Sequence, residues 1–279
     1  MPSIIQFLHT AKEAAPSSND SNIIQWNNSK NHRRKFILSK GRHLINNKLK
    51  KDKLVFWGEW EAQSRVIKLK NKESNLPKYL NQPFLDNSVD NKTHNTDPYV
   101  FGDNFKYLIC QQKSNEILRN LEPYSMILFG SNINNLFCLD TLFIVSDDSK
   151  AYTPKSIKSV FGNKNQYYFA SVQQLENNRK DSTECRFYKG INYDNRIKYS
   201  GIYSFVPAKI YNPYNESDYI FKQPEINLDI INHKLSKGIN SSNNRNFSIK
   251  EILYYWNKIV KQVEVLGLFK GIEFKEIEL

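Results

Sequence analysis

Ser125-Met-Ile-Leu-Phe-Gly-Ser131, answered across Asn132-Ile-Asn-Asn-Leu136 by Phe137-Cys-Leu-Asp-Thr-Leu-Phe-Ile-Val145, is the stretch on which the fold turns. Two continuous apolar runs flank an Asn-rich turn, the pattern of a hairpin whose strands are buried on both faces. Working outward, further strand signals fall at Phe36–Ser39, Lys53–Trp60, Ser64–Leu69, Tyr99–Gly102, Phe105–Cys110, Tyr167–Ser171, Glu184–Lys189 and Gly201–Pro207. Ser114 to Leu121 reads as a short helix with Ser114 as N-cap. Ser248 to Leu266 reads as a long amphipathic helix. Ile249, Ile252, Leu253, Trp256, Ile259, Val260, Val263 and Leu266 form its apolar stripe, Ser248 and Glu251 a capping box, and Gly267 its stop. These signals predict an α+β protein with flanking helices around a curved, mostly antiparallel sheet, closed or nearly closed into a barrel. A single domain over 1–279 is expected, with 1–149 carrying the site and 150–279 a strand-rich extension ending in the amphipathic helix.

Composition bounds the function. At 279 residues, 39% hydrophobic and 13% aromatic, the chain is long and apolar enough for a sizeable core. No run of about 18 apolar residues suggests a membrane helix. The first residues, Met1-Pro-Ser-Ile-Ile-Gln-Phe-Leu8, do not read as a signal peptide. Cys110, Cys138 and Cys185 are odd in number and far apart, which fits a reduced, cytoplasmic setting and simple buried thiols. Forty Lys and Arg against 28 acids give a net charge of +12, which suits phosphate contacts and equally suits a generally Lys- and Asn-rich sequence. The charge is concentrated between Lys30 and Lys53, in His32-Arg33-Arg34-Lys35, Lys40, Arg42, Lys48, Lys50, Lys51 and Lys53, with Asp52 alone opposing. Loop signals lie at Pro16–Ser21 and Asn240–Asn246, and along the Asn-rich connection Lys70–Thr96.

Leu54-Val-Phe-Trp-Gly-Glu-Trp-Glu61 carries the chemistry. If it is extended throughout, Trp57, Glu59 and Glu61 share a face, with Trp60 on the other. Acids beside an aromatic plane suit hydrogen-bond reading of a flat polar ligand such as a nucleobase, with Trp57 stacking and Trp60 packing. The bland alternative is a core strand whose acids reach solvent or pair with Arg or Lys. The expected ligand-binding set is Trp57, Glu59, Trp60, Glu61, His9, Lys12 and Asp103, and the expected phosphate-binding set is Arg33, Arg34 and Lys35. Should Phe7–Glu13 be helical, His9 and Glu13 are i,i+4 neighbours able to pair. Asp97, before Pro98, reads as a structural turn residue.

Leu121 to Ser146, a turn followed by Ile-Leu-Phe-Gly-Ser and an apolar return strand, resembles the central hairpin of PUA-like barrels of the ASCH and EVE branches. That resemblance implies a small curved barrel with flanking helices that binds RNA, modified DNA bases or nucleotides. The G-x-K-x-x-x-R signature associated with ASCH domains is absent. Phe7-Leu-His-Thr-Ala-Lys-Glu13, Gln25-Trp-Asn27, His32-Arg-Arg-Lys-Phe36, Phe56-Trp-Gly-Glu-Trp-Glu61 and Asp97-Pro-Tyr-Val-Phe-Gly-Asp103 together resemble an uncharacterised bacterial family with a Trp-Gly-Glu-Trp-Glu motif, which implies no particular activity.

The chain has no G-x-x-x-x-G-K-[ST], G-x-G-x-x-G, C-x-x-C or H-E-x-x-H, so no cofactor and no metal site is expected. Two functions remain open. One is a nucleic-acid or nucleotide binding protein that reads an ordinary or modified base in an aromatic pocket. The other is an enzyme acting on a nucleotide, nucleoside or nucleic acid with His9 and the carboxylates Glu59 and Glu61. A plain scaffold is the blander third. The partner is nucleic acid or a nucleotide in the first two, and in none a membrane.

Overall fold

The computed structural model describes residues 1–18, 22–29, 31–46, 48–86, 93–161, 165–178, 182–235, 237–241 and 246–277. Residues 19–21 of the Pro16–Ser21 loop, 87–92 of the long connection and 242–245 of the Asn240–Asn246 break lie outside the described residues. The strands, in chain order, are β1 (Ile4–His9), β2 (Ile23–Ile24), β3 (Lys35–Ile45), β4 (Lys48–Gly58), β5 (Ser64–Lys68), β6 (Tyr79–Pro83), β7 (Lys106–Tyr107), β8 (Met126–Ile133), β9 (Leu136–Tyr152), β10 (Cys185–Gly190), β11 (Val206–Ile210), β12 (Gly238–Ser241) and β13 (Phe269–Phe274).

β8 and β9 are the expected hairpin. Its loop is shorter than the sequence suggests, because Asn134 and Asn135 both take positive φ, 52° and 63°, and close it in two residues. That twist matches the flanking strands, and Asn tolerates the left-handed region better than most residues. The register shifts between Phe129 and Gly130, where a Cβ on Gly130 would lie 2.1 Å from the Cys138 carbonyl oxygen. Only glycine allows the two strands to approach so closely.

The strands form two sheets. One runs β12-β1-β8-β9-β10-β7, and the other β13-β11-β4-β3-β6-β5-β2. Most pairings are antiparallel, but β1–β8 and β3–β6 are parallel, so both sheets are mixed. β3 is long enough to hold two neighbours on one edge. Phe36 and Ile37 pair with β6, while Gly41 to Leu44 pair with β13. The contact with β13 closes a circuit β3–β4–β11–β13. β6, β5 and β2 lie outside this circuit, so the seven strands do not close into one barrel. β11, β12 and β13, all from residues beyond 149, are built into sheets begun by residues before it.

The helix Ile249–Val265 has the expected capping box of Ser248 and Glu251, and Gly267 follows it at φ 70°. Ile252, Tyr255, Trp256, Ile259 and Val263 are its buried face, and Ile249 and Leu266, at its ends, are exposed. Three readings need correction. Tyr167–Ser171, aromatic enough to read as a strand, lies in a π-helical turn, Tyr168–Val172, tied by the Ser171 hydroxyl to the Thr96 carbonyl at 2.7 Å. The short helix is Glu116–Arg119, and its N-cap is Asn115 rather than Ser114. The helical condition set for Phe7–Glu13 is not met: residues 4–9 are a strand paired with β8 and β12, with Ile4, Ile5, Phe7 and Leu8 buried. His9 and Glu13 are therefore not helical neighbours. No helix among the described residues is long and apolar enough to cross a membrane.

Candidate functional site

β4 ends at Gly58, and strand alternation ends with it. Glu59, Trp60 and Glu61 follow in irregular chain and do not share the face that Trp57 takes. Trp57 packs with Phe36 at 5.3 Å between ring centroids, and its indole N–H donates to the Phe221 carbonyl at 2.9 Å. Trp60 is fully buried in the other core cluster, edge-on to Phe101, with its N–H on the Gln63 carbonyl. Both tryptophans are buried in packed clusters, and Trp57, expected to stack on a ligand, is 3% exposed.

The two glutamates, in contrast, turn into a buried polar cluster. Glu59 Oε2 accepts from Arg34 Nη2 at 2.8 Å and lies 3.2 Å from His9 Nε2. Glu59 Oε1 accepts from the Asp97 backbone N–H at 3.2 Å. Arg34 Nη1 reaches Asp140 Oδ2 at 3.2 Å. Glu61 accepts from the Asn27 side-chain amide at Oε2, while its backbone N–H donates to Thr96 Oγ1 at 3.0 Å. His32 completes the group, with Nδ1 3.7 Å from Glu59 Oε1 and 3.5 Å from Glu61 Oε1. Its ring lies between those of His9, at 5.7 Å, and His94, at 5.0 Å.

Burial and charge divide the titrating groups. Burial raises the Glu59 carboxyl, but His9, His32 and Arg34 outweigh it, so Glu59 stays ionised well below the ordinary carboxylate range. Burial lowers the His32 imidazole, yet the carboxylates of Glu59 and Glu61 more than reverse this and raise it to about 10. Burial, with the nearby charges of Arg34 and His32, lowers His9 to about 3 despite Glu59. Burial also raises Asp140 to about 6, against the pull of Arg34. His9 is thus a neutral imidazole and His32 a cation among carboxylates.

A cavity of about 290 Å³ opens beside this cluster, lined among others by Trp26, Asn27, Arg33, Lys35, Trp60 and Glu61. Trp26 is 9% exposed, and its N–H is held by the His94 carbonyl at 3.0 Å. Lys35 Nζ donates to the Ala62 carbonyl at 2.8 Å and the Ser64 hydroxyl at 3.3 Å, and burial lowers its pKa to about 7.

The expected site residues therefore separate. His9, Glu59 and Glu61 are brought together. Arg33 and Lys35 reach the cavity wall, but Arg34, expected to hold phosphate, is fully buried and committed to Glu59 and Asp140. Lys12 is exposed at a second cavity, of about 450 Å³, that Trp57 also borders. Asp103 is an exposed turn residue in neither cavity. Asp97 is structural, its carboxylate accepting from the backbone N–H groups of Leu108, Ile109 and Cys110 at 3.0, 2.8 and 2.9 Å. The sequence reading missed Trp26, Asn27, His94 and Asp140 as members. The first two stand in the quoted Gln25-Trp-Asn run, while Asp140 gives no local signal, being one acid inside an apolar strand.

A separate basic surface lies on the outer half of the β3–β4 hairpin. Lys48, Lys50, Lys51 and Lys53 are exposed there. Two grooves, of about 700 and 420 Å³, share Lys40, Lys53 and Lys275 in their walls, and the larger also holds Arg65. Comparison with protein-family models, curated proteins and solved structures finds no match, so the geometry alone carries the functional reading.

Proposed function

We propose that the protein binds a nucleotide, free or within a nucleic-acid strand, in the cavity between Trp26 and Glu61. The single observation that carries this reading is the composition of that cavity's wall. It unites an aromatic ring, a buried carboxylate beside an Asn side chain, and two basic side chains, Arg33 and Lys35. These are the groups that a flat base, its polar edge and a phosphate need. A volume of about 290 Å³ suits one nucleoside-sized ligand. Trp26 replaces Trp57 as the stacking ring, Glu61 accepts from the base, and Arg33 meets phosphate.

A second reading, an enzyme acting on the same ligand, is favoured by His9 at 3.2 Å from Glu59 and by His32 at 3.5 Å from Glu61, itself at the cavity wall. The test is titration of the full chain, in the presence of a chelator, with nucleosides, nucleoside monophosphates and short single strands, followed by tryptophan fluorescence. Trp26→Ala is expected to weaken binding by about 1–3 kcal/mol, the worth of one stacked base. Glu61→Gln is expected to change which base is preferred. Saturable binding untouched by Trp26→Ala removes the cavity from the reading. Chromatography of the recovered ligand separates binding from turnover.

A further inference from the structure

We propose that His32, Glu59 and Glu61 form a binding site for one divalent transition-metal cation of the Zn²⁺ or Mn²⁺ class. The ligand atoms of the three side chains lie within 4.8 Å of one another. Their spacing is more telling than their proximity. His32 Nδ1 is 3.7 Å from Glu59 Oε1 and 3.5 Å from Glu61 Oε1. These separations are long for hydrogen bonds, and Nδ1 is buried without a hydrogen-bond partner. Two ligands each about 2.1 Å from a common ion in tetrahedral array are roughly 3.4 Å apart, close to what is found here.

The outer contacts point the same way. Glu59 gives Oε2 to Arg34 and His9, and Glu61 gives Oε2 to Asn27. Oε1 of each carboxylate faces the His32 nitrogen, that of Glu59 also accepting from the Asp97 backbone N–H at 3.2 Å. Outer partners that fix which oxygen points inward are what orients carboxylate ligands around an ion. Imidazole with two carboxylates suits Zn²⁺, Mn²⁺ or Fe²⁺ better than Ca²⁺, which takes six or more oxygens. The His32 side chain is 22% exposed, which gives an ion a way in, and Glu61 also borders the cavity.

This inference does not depend on what the cavity binds, and its experiment uses metal alone. The full chain, stripped with chelator and dialysed, is titrated calorimetrically with Zn²⁺, Mn²⁺ and Ca²⁺, and its Co²⁺ form is examined by visible absorption. The expected result is one equivalent of Zn²⁺ or Mn²⁺ bound in preference to Ca²⁺, and Co²⁺ bands of a nitrogen–oxygen site of low coordination number. His32→Ala and Glu61→Gln are expected to abolish the binding, and His233→Gln to leave it unchanged. Should either ligand variant fail to fold, Asn27→Ala reads the same site, with affinity reduced about 10–100-fold as for other outer partners. Absence of one-to-one binding by the wild-type chain, or ligand variants that bind as it does, overturns the proposal. Trp26→Ala, which touches only the nucleotide reading, is expected to bind metal normally, so either reading can fail alone.

Discussion

Arg34 and Glu59 form an ion pair of 2.8 Å in which neither side chain is more than 1% exposed. The second guanidinium nitrogen reaches Asp140, so one buried cation answers two buried anions, one just beyond the end of β4 and one on β9. Charges so buried are costly unless all remain paired, and removing one partner costs more than the pair contributes. Arg34→Met is therefore expected to lower unfolding free energy by about 3–5 kcal/mol in denaturant titration. Adding Glu59→Gln removes one orphaned anion and is expected to recover part of that loss. A single variant within about 0.5 kcal/mol of wild type, the ordinary range of surface changes, would contradict this account of the cluster.

Glu13 supplies a pH prediction. Its carboxylate accepts from the backbone N–H groups of Lys78 and Tyr79 at 2.9 and 3.1 Å, beside the start of β6. Burial, opposed by those bonds and by Lys78, raises its pKa from 4.5 to about 7. The folded chain thus holds the proton more tightly than the unfolded one. The stabilisation is complete below about pH 4.5 and is lost as pH rises through about 7. Glu13→Gln keeps an acceptor oxygen without titrating. Its stability relative to wild type is expected to rise by about 1–3 kcal/mol between pH 4.5 and pH 8. Parallel melting profiles for the two proteins across that range would exclude the assignment.

The sequence disclosed those parts of the fold that local pattern controls. The β8–β9 hairpin and the capped helix Ile249–Val265 were legible because continuous apolar runs, turn residues and helical period all act over a few positions. The cluster was legible only by halves. Glu59 and Glu61 stand out as acids in an aromatic run, but Arg34 and Asp140 are 106 residues apart in sequence and meet through tertiary packing. Nothing local distinguishes Arg34, buried, from Arg33, at the cavity wall. Strand alternation led astray at Glu59, because β4 had already ended at Gly58.

Trp57 separates packing from binding. Its ring fills the cluster shared with Phe36, Val55 and Leu80, and its N–H is satisfied by Phe221. Trp57→Ala is expected to cost about 3–5 kcal/mol, chiefly through the cavity left behind. At temperatures where the variant remains folded, ligand titration is expected to match wild type, because Trp57 does not border the Trp26–Glu61 cavity. Lost ligand affinity in a variant of undiminished stability would return Trp57 to the site.

The hairpin lysines carry the prediction about nucleic acid. Lys48, Lys50, Lys51 and Lys53 are exposed on β4, and Lys53 borders both basic grooves. Side chains so placed contact phosphates without reading bases, and each phosphate neutralised releases counterions. If a strand reaches the cavity across this surface, the logarithm of the binding constant falls linearly with log salt. Lys48 and Lys50 point to one face of β4 and Lys51 and Lys53 to the other, so replacing all four with Gln is then expected to make the slope shallower by about 2 on duplex DNA, the share of the pair that faces the strand, and somewhat less on a single strand. Base preference is expected to stay as in wild type, because Trp26 and Glu61 are untouched. Mononucleotide affinity in the cavity is expected to stay as well, since a single nucleotide does not span to the hairpin. The measurement is fluorescence anisotropy over a series of salt concentrations for the wild-type and four-lysine variant chains. An unchanged slope would show that the strand does not lie on the hairpin, and a changed base preference would show that these lysines do more than meet phosphate.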